Sequence, residues 1–283
     1  ERRTALPSAM GANGSGPAPT CAEQGYGIEG EEEAKRRYVR GNEVANQRLR
    51  MLCLHGHGSN NEMTQMQMQH LQLAKRHDVR CDFLCAQIEV GPNDSTIAML
   101  SKGPFYSWFN WSSAIVGEII GRGPGAAGGT LHDSLCRVLK HIEAHGPYDG
   151  IYGFSQGAVV ATLLTSETVW RGLGKMDACP FRFALLGCAG GGELLYTMSI
   201  SLSPRGGSEA GSQTSRAKLP VAIPSLHLIG ARDWRRRSSR RLVSAYDAAT
   251  AVIYVHAYGH GMPMTLLRDK KMEEVLTRFF QQF

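Results

Sequence analysis

The chain has 283 residues, of which 42% are hydrophobic and 20% are charged. This composition is typical of a globular protein with enough apolar residues for a sizeable core. The formal net charge of +6 is mildly basic, but no nucleic-acid-binding motif accompanies it, so we expect no nucleic-acid partner. No apolar run approaches the roughly 18 residues of a membrane span, and no signal peptide is visible. A cytoplasmic protein is therefore the expectation.

The cysteines support the same expectation. There are seven, at irregular spacing, and Cys53, Cys81, Cys85 and Cys188 lie in apolar runs. An odd number of cysteines without regular spacing favours buried free thiols over a disulfide framework. Free thiols are typical of a reducing compartment.

The chain divides into an extension and one domain. Residues 1–47 are rich in Gly, Pro, Ser and Ala and then in charged residues, which predicts a disordered extension. Residues 48–283 carry the pattern of a single folded domain. Within it, residues 91–129 mix Gly, Pro and Ser with aromatic residues, which predicts an irregular, lid-like insertion. The polar, Gly/Ser-rich residues 201–220 predict a disordered surface loop.

In chain order, short apolar runs alternate with longer amphipathic stretches. The apolar runs predict strands over 51–54, 81–86, 150–154, 181–186, 225–229 and 251–256. The longer stretches predict helices over 61–77, 131–145, 156–165, 236–248 and 265–280. Apolar strands that alternate with helices are typical of a mostly parallel sheet with helices on both faces. The predicted fold class is therefore α/β.

A Gly-x-Ser-x-Gly motif with Ser155 at its centre lies between the strand 150–154 and the helix 156–165. Such a turn exposes a serine hydroxyl above the end of a sheet, where the glycines relieve crowding. A hydroxyl needs a base to take its proton and donors to hold the oxyanion that forms. The motif alone arises by chance, but its strand and helix context predicts Ser155 as the nucleophile of a serine hydrolase.

The partners of such a serine follow in the order acid and then histidine, each at the end of a later strand. Asp233 follows the predicted strand 225–229, and His260 follows the predicted strand 251–256. We therefore predict His260 as the general base and Asp233 as the acid that orients it.

Three other residues compete for these roles. His256 falls inside the last strand, where packing is the simpler role. Asp247 falls on the predicted helix 236–248, a poor place from which to reach His260. Asp149 stands at the start of its strand, at the opposite edge of the sheet, which favours a structural role.

Two backbone N–H groups are expected to hold the oxyanion. One belongs to Gln156, which follows the nucleophile at a helix N-terminus. The loop after the first strand supplies the other, for which His57 is the candidate, with an incidental side chain. His55 and His57 lack the further ligands of a zinc site, so we expect no metal and no cofactor.

These motifs resemble the family of serine hydrolases of fungi and animals, which includes the ovarian cancer-associated serine hydrolase. The resemblance covers about residues 50–280 and rests on the following segments: Leu52-Cys53-Leu54-His55-Gly56, Trp108-Phe109, Tyr148-Asp149-Gly150-Ile151, Gly153-Phe154-Ser155-Gln156-Gly157-Ala158, His227-Leu228-Ile229-Gly230 with Asp233, and Gly259-His260 with Pro263. It implies a compact α/β-hydrolase fold with little cap, a triad of Ser155, Asp233 and His260, and hydrolysis of carboxylic esters or thioesters.

The acyl-protein thioesterases share a similar Gly-Phe-Ser-Gln-Gly run and are the alternative. A non-catalytic binding module on a hydrolase scaffold is a remote second alternative. The chain departs from the family at Tyr258, where the family often has a glycine, and in the basic run after Asp233.

Two features of the sequence bear on the substrate. The aromatic residues Phe105, Trp108, Phe109 and Trp111 favour a hydrophobic acyl group, although they would serve equally as core. The basic run from Arg235 to Arg241 is typical of a solvated helix face; the alternative is weak contact with an anionic membrane or an acidic substrate.

Overall fold

A computed structural model describes residues 48–111, 130–173, 179–192, 195, 221–262 and 269–283. The predictions for residues 1–47 and 201–220, and for the second half of the 91–129 insertion, lie outside these residues. The first half of that insertion is more regular than predicted, because it contains a short helix and a strand.

The core of the fold is a sheet of six strands, all paired in parallel. Its members are β1 (Leu49–Leu54), β2 (Val79–Leu84), β5 (Gly150–Phe154), β6 (Phe183–Gly187), β7 (Ser225–Gly230) and β8 (Ala251–His256), in the order β2-β1-β5-β6-β7-β8. A separate antiparallel pair consists of β3 (Ile88–Val90) and β4 (Phe105–Ser107). Every residue of β5, β6 and β7 is buried, which explains why these strands are continuous apolar runs.

Helices cover both faces of the sheet, as predicted. They are α1 (Asn61–His70), α2 (Leu73–Arg76), α3 (Ser95–Leu100), α4 (Leu131–His145), α5 (Gln156–Leu164), α6 (Glu167–Gly172), α7 (Arg236–Val243) and α8 (Lys270–Phe280). One apolar cluster joins α4, α5 and α7 to the sheet, and a second joins α1, α2 and α8. None of the described helices is long and apolar enough to cross a membrane.

Two predicted helices are shorter than expected. The helix predicted over 61–77 breaks at Gln72, whose φ is 49°. Leu71 and Leu73, on either side of this break, are both fully buried. The helix predicted over 236–248 ends at Val243, because Tyr246 leaves the helical path to donate a hydrogen bond from its hydroxyl to Thr162 Oγ1 at 3.1 Å.

The prediction of free thiols is only partly confirmed. Cys53, Cys81 and Cys188 are free, but the prediction is wrong for Cys85, which is disulfide-bonded. Cysteine content therefore does not indicate a reducing compartment here, and the cytoplasmic location stays a prediction.

Because all six strands are parallel, their carboxyl ends meet at one edge of the sheet. The loops that follow β1, β5, β6, β7 and β8 all begin at this edge. In open α/β sheets, ligands bind outside this edge. The predicted nucleophile, base, acid and oxyanion donors all belong to these loops.

Candidate active site

Ser155 occupies the sharp turn between β5 and α5. Its φ of 50° and ψ of −109° are a conformation that residues with a side chain rarely adopt. Two glycines make the turn feasible: a Cβ on Gly153 would meet the carbonyl oxygen of Gly157 at 2.5 Å, and a Cβ on Gly157 would meet that of His55 at 2.5 Å. The geometry is that of a nucleophile turn and requires glycine at both positions.

His260 lies in the loop after β8, next to the serine. Its Nε2 is 3.0 Å from Ser155 Oγ, and its Nδ1 is 3.0 Å from each carboxylate oxygen of Asp233. The rings of Phe154 and Trp234 lie near the imidazole, with centroid distances of 5.4 and 5.7 Å. These rings limit rotation of the imidazole, so that one nitrogen faces the serine and the other faces the carboxylate.

Asp233 lies in the loop after β7 and is buried. Its Oδ1 also accepts a hydrogen bond from the backbone N–H of Arg235 at 2.7 Å. Burial on its own raises the pKa of this carboxyl, but hydrogen bonds from His260 and Arg235, together with the charge of His260, hold the pKa below its ordinary value. The carboxylate is therefore ionised at neutral pH, as a residue that orients a histidine needs to be.

The rival residues are engaged or remote. His256 is the last residue of β8, and its Nε2 lies 3.8 Å from Cys188 Sγ. Asp247 is exposed in the turn before β8, at the opposite edge of the sheet. Asp149 stands before β5 and forms an ion pair with Arg182 at 3.2 Å. The structure therefore brings Asp233 and His260 to Ser155, and none of the rivals.

The two expected oxyanion donors lie beside the serine. The backbone N–H groups of His57 and Gln156 make no hydrogen bond with any residue in the described part of the chain. The loop after β1 passes close to the nucleophile, since a Cβ on Gly56 would lie 3.3 Å from Ser155 Cβ. The N–H of Gln156 is the first of α5, where the helix dipole also favours negative charge.

The side chains of these two donors are joined through Ser107, the last residue of β4. The Ser107 hydroxyl is 3.0 Å from His57 Nδ1 and 3.0 Å from Gln156 Oε1. Gln156 Oε1 also accepts from the N–H of Trp108 at 2.9 Å, and Gln156 Nε2 donates to the carbonyl of Phe109 at 2.7 Å. The His57 side chain, expected to be incidental, therefore has a hydrogen-bonding partner, and Ser107 is a contact of both expected donors that the sequence did not reveal.

His55 fixes the start of the same loop. Its Nε2 accepts from the N–H of Ala86 at 3.0 Å, and its Nδ1 is 2.6 Å from the carbonyl oxygen of Gly56. Burial lowers the pKa of His55 to about 4, so the ring is neutral and structural. The pKa of His57 is also lowered, by burial and then by the positive charge of Arg235.

A family model described as "Serine hydrolase (FSH1)" matches residues 45–272, which are most of the chain. The chain belongs to this serine hydrolase family. The matched region contains Ser155, Asp233 and His260 as well as both expected oxyanion donors.

Named relatives of this serine hydrolase are fungal enzymes. Esterase dbaE of Emericella nidulans is 30% identical over 256 residues, which are 82% of this chain and 89% of that protein. The dihydromonacolin L-[lovastatin nonaketide synthase] thioesterase of Aspergillus terreus is 27% identical over 239 residues, 81% of this chain and 90% of its own. Among solved structures, a monoacylglycerol lipase of Paleococcus ferrophilus is similar over 83% of this chain and 95% of its own, at 12% identity and a TM-score of 0.45.

The four aromatic residues predicted to bind the acyl group differ in exposure. Trp108 and Phe109 have no exposed surface, and Phe105 has 8%. Trp108 Nε1 donates to the carbonyl of His55 at 2.8 Å, so this side chain supports the oxyanion loop. Trp111 is 36% exposed and is the member of the four that offers a surface to a ligand.

Cys188 lies behind the histidine and the acid. Its sulfur, the Asp233 carboxylate and a His260 nitrogen all lie within 4.8 Å of one another. Burial and the charge of Asp233 raise the pKa of the thiol to about 12, and the sulfur lies 3.8 and 3.6 Å from the carbonyl oxygens of Gly259 and Gly261. These contacts tie Cys188 to the loop that carries His260.

Proposed function

We propose that the chain hydrolyses carboxylic esters or thioesters, with Ser155 as the nucleophile, His260 as the general base and Asp233 as the acid that orients it. The observation that carries this proposal is the pair of contacts made by His260, 3.0 Å from Ser155 Oγ on one side and 3.0 Å from the Asp233 carboxylate on the other. These contacts give the base both a proton to take and a fixed orientation.

In the first half of the reaction, Ser155 Oγ attacks the carbonyl carbon while its proton passes to Nε2 of His260. The carbonyl oxygen becomes an oxyanion, and the N–H groups of Gln156 and His57 donate to it. Collapse of this intermediate breaks the bond to the leaving group, which takes the proton from His260. The products are an acyl-serine and an alcohol or thiol.

In the second half, water attacks the acyl-serine. His260 takes a proton from the water, and the same two N–H groups hold the second oxyanion. Collapse releases the carboxylic acid and returns the proton to Ser155. Asp233 stabilises the imidazolium in both halves without accepting a proton.

We propose a hydrophobic acyl group for the substrate. Its support is the partly exposed aromatic surface of Trp111, whose ring packs edge-on against that of Phe109 with ring centroids 5.0 Å apart. An acyl-protein thioesterase is the second candidate, and acylated peptides compared with small esters of the same chain length distinguish the two.

The test is hydrolysis of 4-nitrophenyl esters and thioesters of graded chain length by the wild type and by Ser155→Ala, with fluorophosphonate labelling of both proteins. We expect turnover and labelling in the wild type and neither in the variant. Activity of Ser155→Ala within about tenfold of the wild type would refute the nucleophile. A wild type that is folded but neither labelled nor active would indicate the non-catalytic binding module instead.

We also propose weak contact between α7 and an anionic membrane surface. Its support is that α7 buries Ser238, Ser239 and Leu242 while Arg237 and Arg240 are exposed. Binding to phosphatidylcholine vesicles with and without phosphatidylglycerol is the test. Equal binding to both kinds of vesicle would leave these arginines as a solvated helix face.

A further inference from the structure

Arg235 is stacked between two tryptophans at the entrance to the active site. Its guanidinium carbon lies 4.2 Å from the ring centroid of Trp234 and 5.3 Å from that of Trp111. The two rings are 72% and 36% exposed, respectively. Stacking on aromatic faces fixes the plane of a guanidinium while its N–H groups stay available at the edge.

This stack adjoins the reacting groups on two sides. Trp234 lies against the His260 ring, at 5.7 Å between centroids. Trp111 lies against the loop after β6, as shown by the distance of 3.2 Å between its ring and a Cβ placed on Gly191. The same loop reaches the nucleophile, since a Cβ placed on Gly190 would lie 3.6 Å from Ser155 Oγ.

The charge of Arg235 is also felt inside the site. It contributes to the lowered pKa of His57, whose N–H is one of the two oxyanion donors. The guanidinium itself lies over the ring of Trp234, which in turn lies near the His260 ring. Its backbone N–H, and not its side chain, makes the hydrogen bond to Asp233.

No acidic side chain neutralises this guanidinium within the part of the chain that the structure describes. Arg235 also stands immediately before α7, where Arg236 and Arg237 follow. Cations are unfavourable at a helix N-terminus, where an anion is favoured. Among the described residues, this positive group is held beside the active site by two tryptophans and has no acidic partner, so it is suited to bind an anion of the substrate.

We propose that Arg235 binds an anionic group, a carboxylate or a phosphate, in the leaving group of the ester or thioester substrate. The inference rests on the proposed function, because it assumes that Ser155 and His260 act on that substrate. We assign the anion to the leaving group and not to the acyl group, because His260 protonates the leaving group and Trp234 holds Arg235 next to His260. The arginine is then a specificity-determining residue, and the reaction at the carbonyl carbon is unchanged.

The test compares esters that differ by one charge. 4-Nitrophenyl hexanoate has a neutral leaving group, and 3-carboxy-4-nitrophenyl hexanoate has the same leaving group with a carboxylate. We expect Arg235→Gln to lower kcat/KM about tenfold for the carboxylated ester and less than about threefold for the neutral ester. Arg235→Lys keeps the charge but not the planar fork, so we expect an intermediate loss.

Arg232→Gln is the matched control. Arg232 is exposed in the same loop and carries the same charge, but its side chain stacks on neither tryptophan. We expect this variant to lower kcat/KM for the two esters by the same small factor. A second pair, hexanoyl-coenzyme A and the neutral thioester S-hexanoyl-N-acetylcysteamine, applies the same comparison to a phosphate-bearing leaving group and so distinguishes phosphate from carboxylate as the preferred anion.

Two outcomes would overturn the inference. One is an equal loss for charged and neutral substrates in Arg235→Gln, which would make the side chain a structural support only. The other is an equal preference for the anionic leaving group in Arg235→Gln and in the wild type. Both are distinct from failure of the proposed function, in which the wild type hydrolyses none of the four substrates.

Discussion

Replacement of Asp233 by Asn tests how the acid sets the protonation of His260. Asp233 Oδ1 accepts from the backbone N–H of Arg235 at 2.7 Å, while both carboxylate oxygens lie 3.0 Å from His260 Nδ1. An asparagine side chain has one acceptor and one donor end. If its oxygen keeps the Arg235 N–H, its NH₂ group faces His260 Nδ1, which then has to accept. The ring proton moves to Nε2, where it blocks transfer from Ser155.

The expected loss is large because the wrong tautomer has no base for the serine. In a serine protease triad the same substitution lowers kcat about 10⁴-fold, which corresponds to about 5.5 kcal/mol of transition-state stabilisation. We expect a similar loss for Asp233→Asn. The two side chains have the same shape, so the variant should fold.

The assay is kcat for 4-nitrophenyl butyrate, with thermal unfolding followed by circular dichroism to check the fold. Asp247→Asn is the control, because Asp247 is exposed and its Oδ1 accepts from the nearby N–H of Ala249 at 3.0 Å. A loss of less than about tenfold in a folded Asp233→Asn protein would refute the orienting role. A larger loss in Asp247→Asn would move the acid of the triad to that residue.

Three further predictions concern the contact made by Ser107, the nucleophile turn and a buried histidine of β7. Ser107→Ala removes the hydroxyl that lies 3.0 Å from His57 Nδ1. We expect kcat to fall about tenfold with little change in KM, because the N–H of His57 is still present but is less well positioned. An unchanged kcat would show that the loop after β1 is held without Ser107. Gly157→Ala places a Cβ 2.5 Å from the carbonyl oxygen of His55. We expect the free energy of unfolding, measured by urea titration, to drop by about 1–3 kcal/mol. A variant as stable as the wild type would contradict this close contact. Burial lowers the pKa of His227 to about 3, which is below its value in the unfolded chain. As the pH drops, the unfolded chain therefore takes up the proton before the folded protein does. The free energy of unfolding then falls between about pH 6.5 and pH 3. His227→Gln should reduce the slope of unfolding free energy between pH 6.5 and 4.5 by up to about 1.4 kcal/mol per pH unit, whereas an unaltered slope would mean that His227 is protonated in the fold.

The strands of the main sheet and the position of the nucleophile were predictable because both depend on local patterns. Apolar runs give parallel strands, and parallel strands bring their carboxyl ends to one edge. Ser155, Asp233 and His260 follow three of those strands, so their meeting follows from the fold class together with the order of the motifs. Their hydrogen-bonding roles remain for kinetics to test.

The supports of the site were not predictable, because they depend on contacts between distant residues with common side chains. Ser107 is one serine in an irregular segment, and no pattern in the sequence shows that it reaches both His57 and Gln156. The stack of Arg235 on Trp111 joins the loop after β7 to the irregular insertion, two segments that are far apart in the sequence. A solvated arginine run was the simpler prediction for this segment, and only the three-dimensional arrangement distinguishes Arg235 from the arginines that follow it.

The contacts of Ser107 also imply that substitutions within residues 105–111 have two different kinds of kinetic effect. The side chains of both proposed oxyanion donors hydrogen-bond to residues 107–109, whereas the side chain of Trp111 is partly exposed and lies beside Arg235. Donors to an oxyanion act mainly in the transition state, and contacts with the ends of a substrate act in the ground state as well. Changes at Ser107 should therefore appear mainly in kcat. Changes at Trp111 should appear in the choice between charged and neutral substrates.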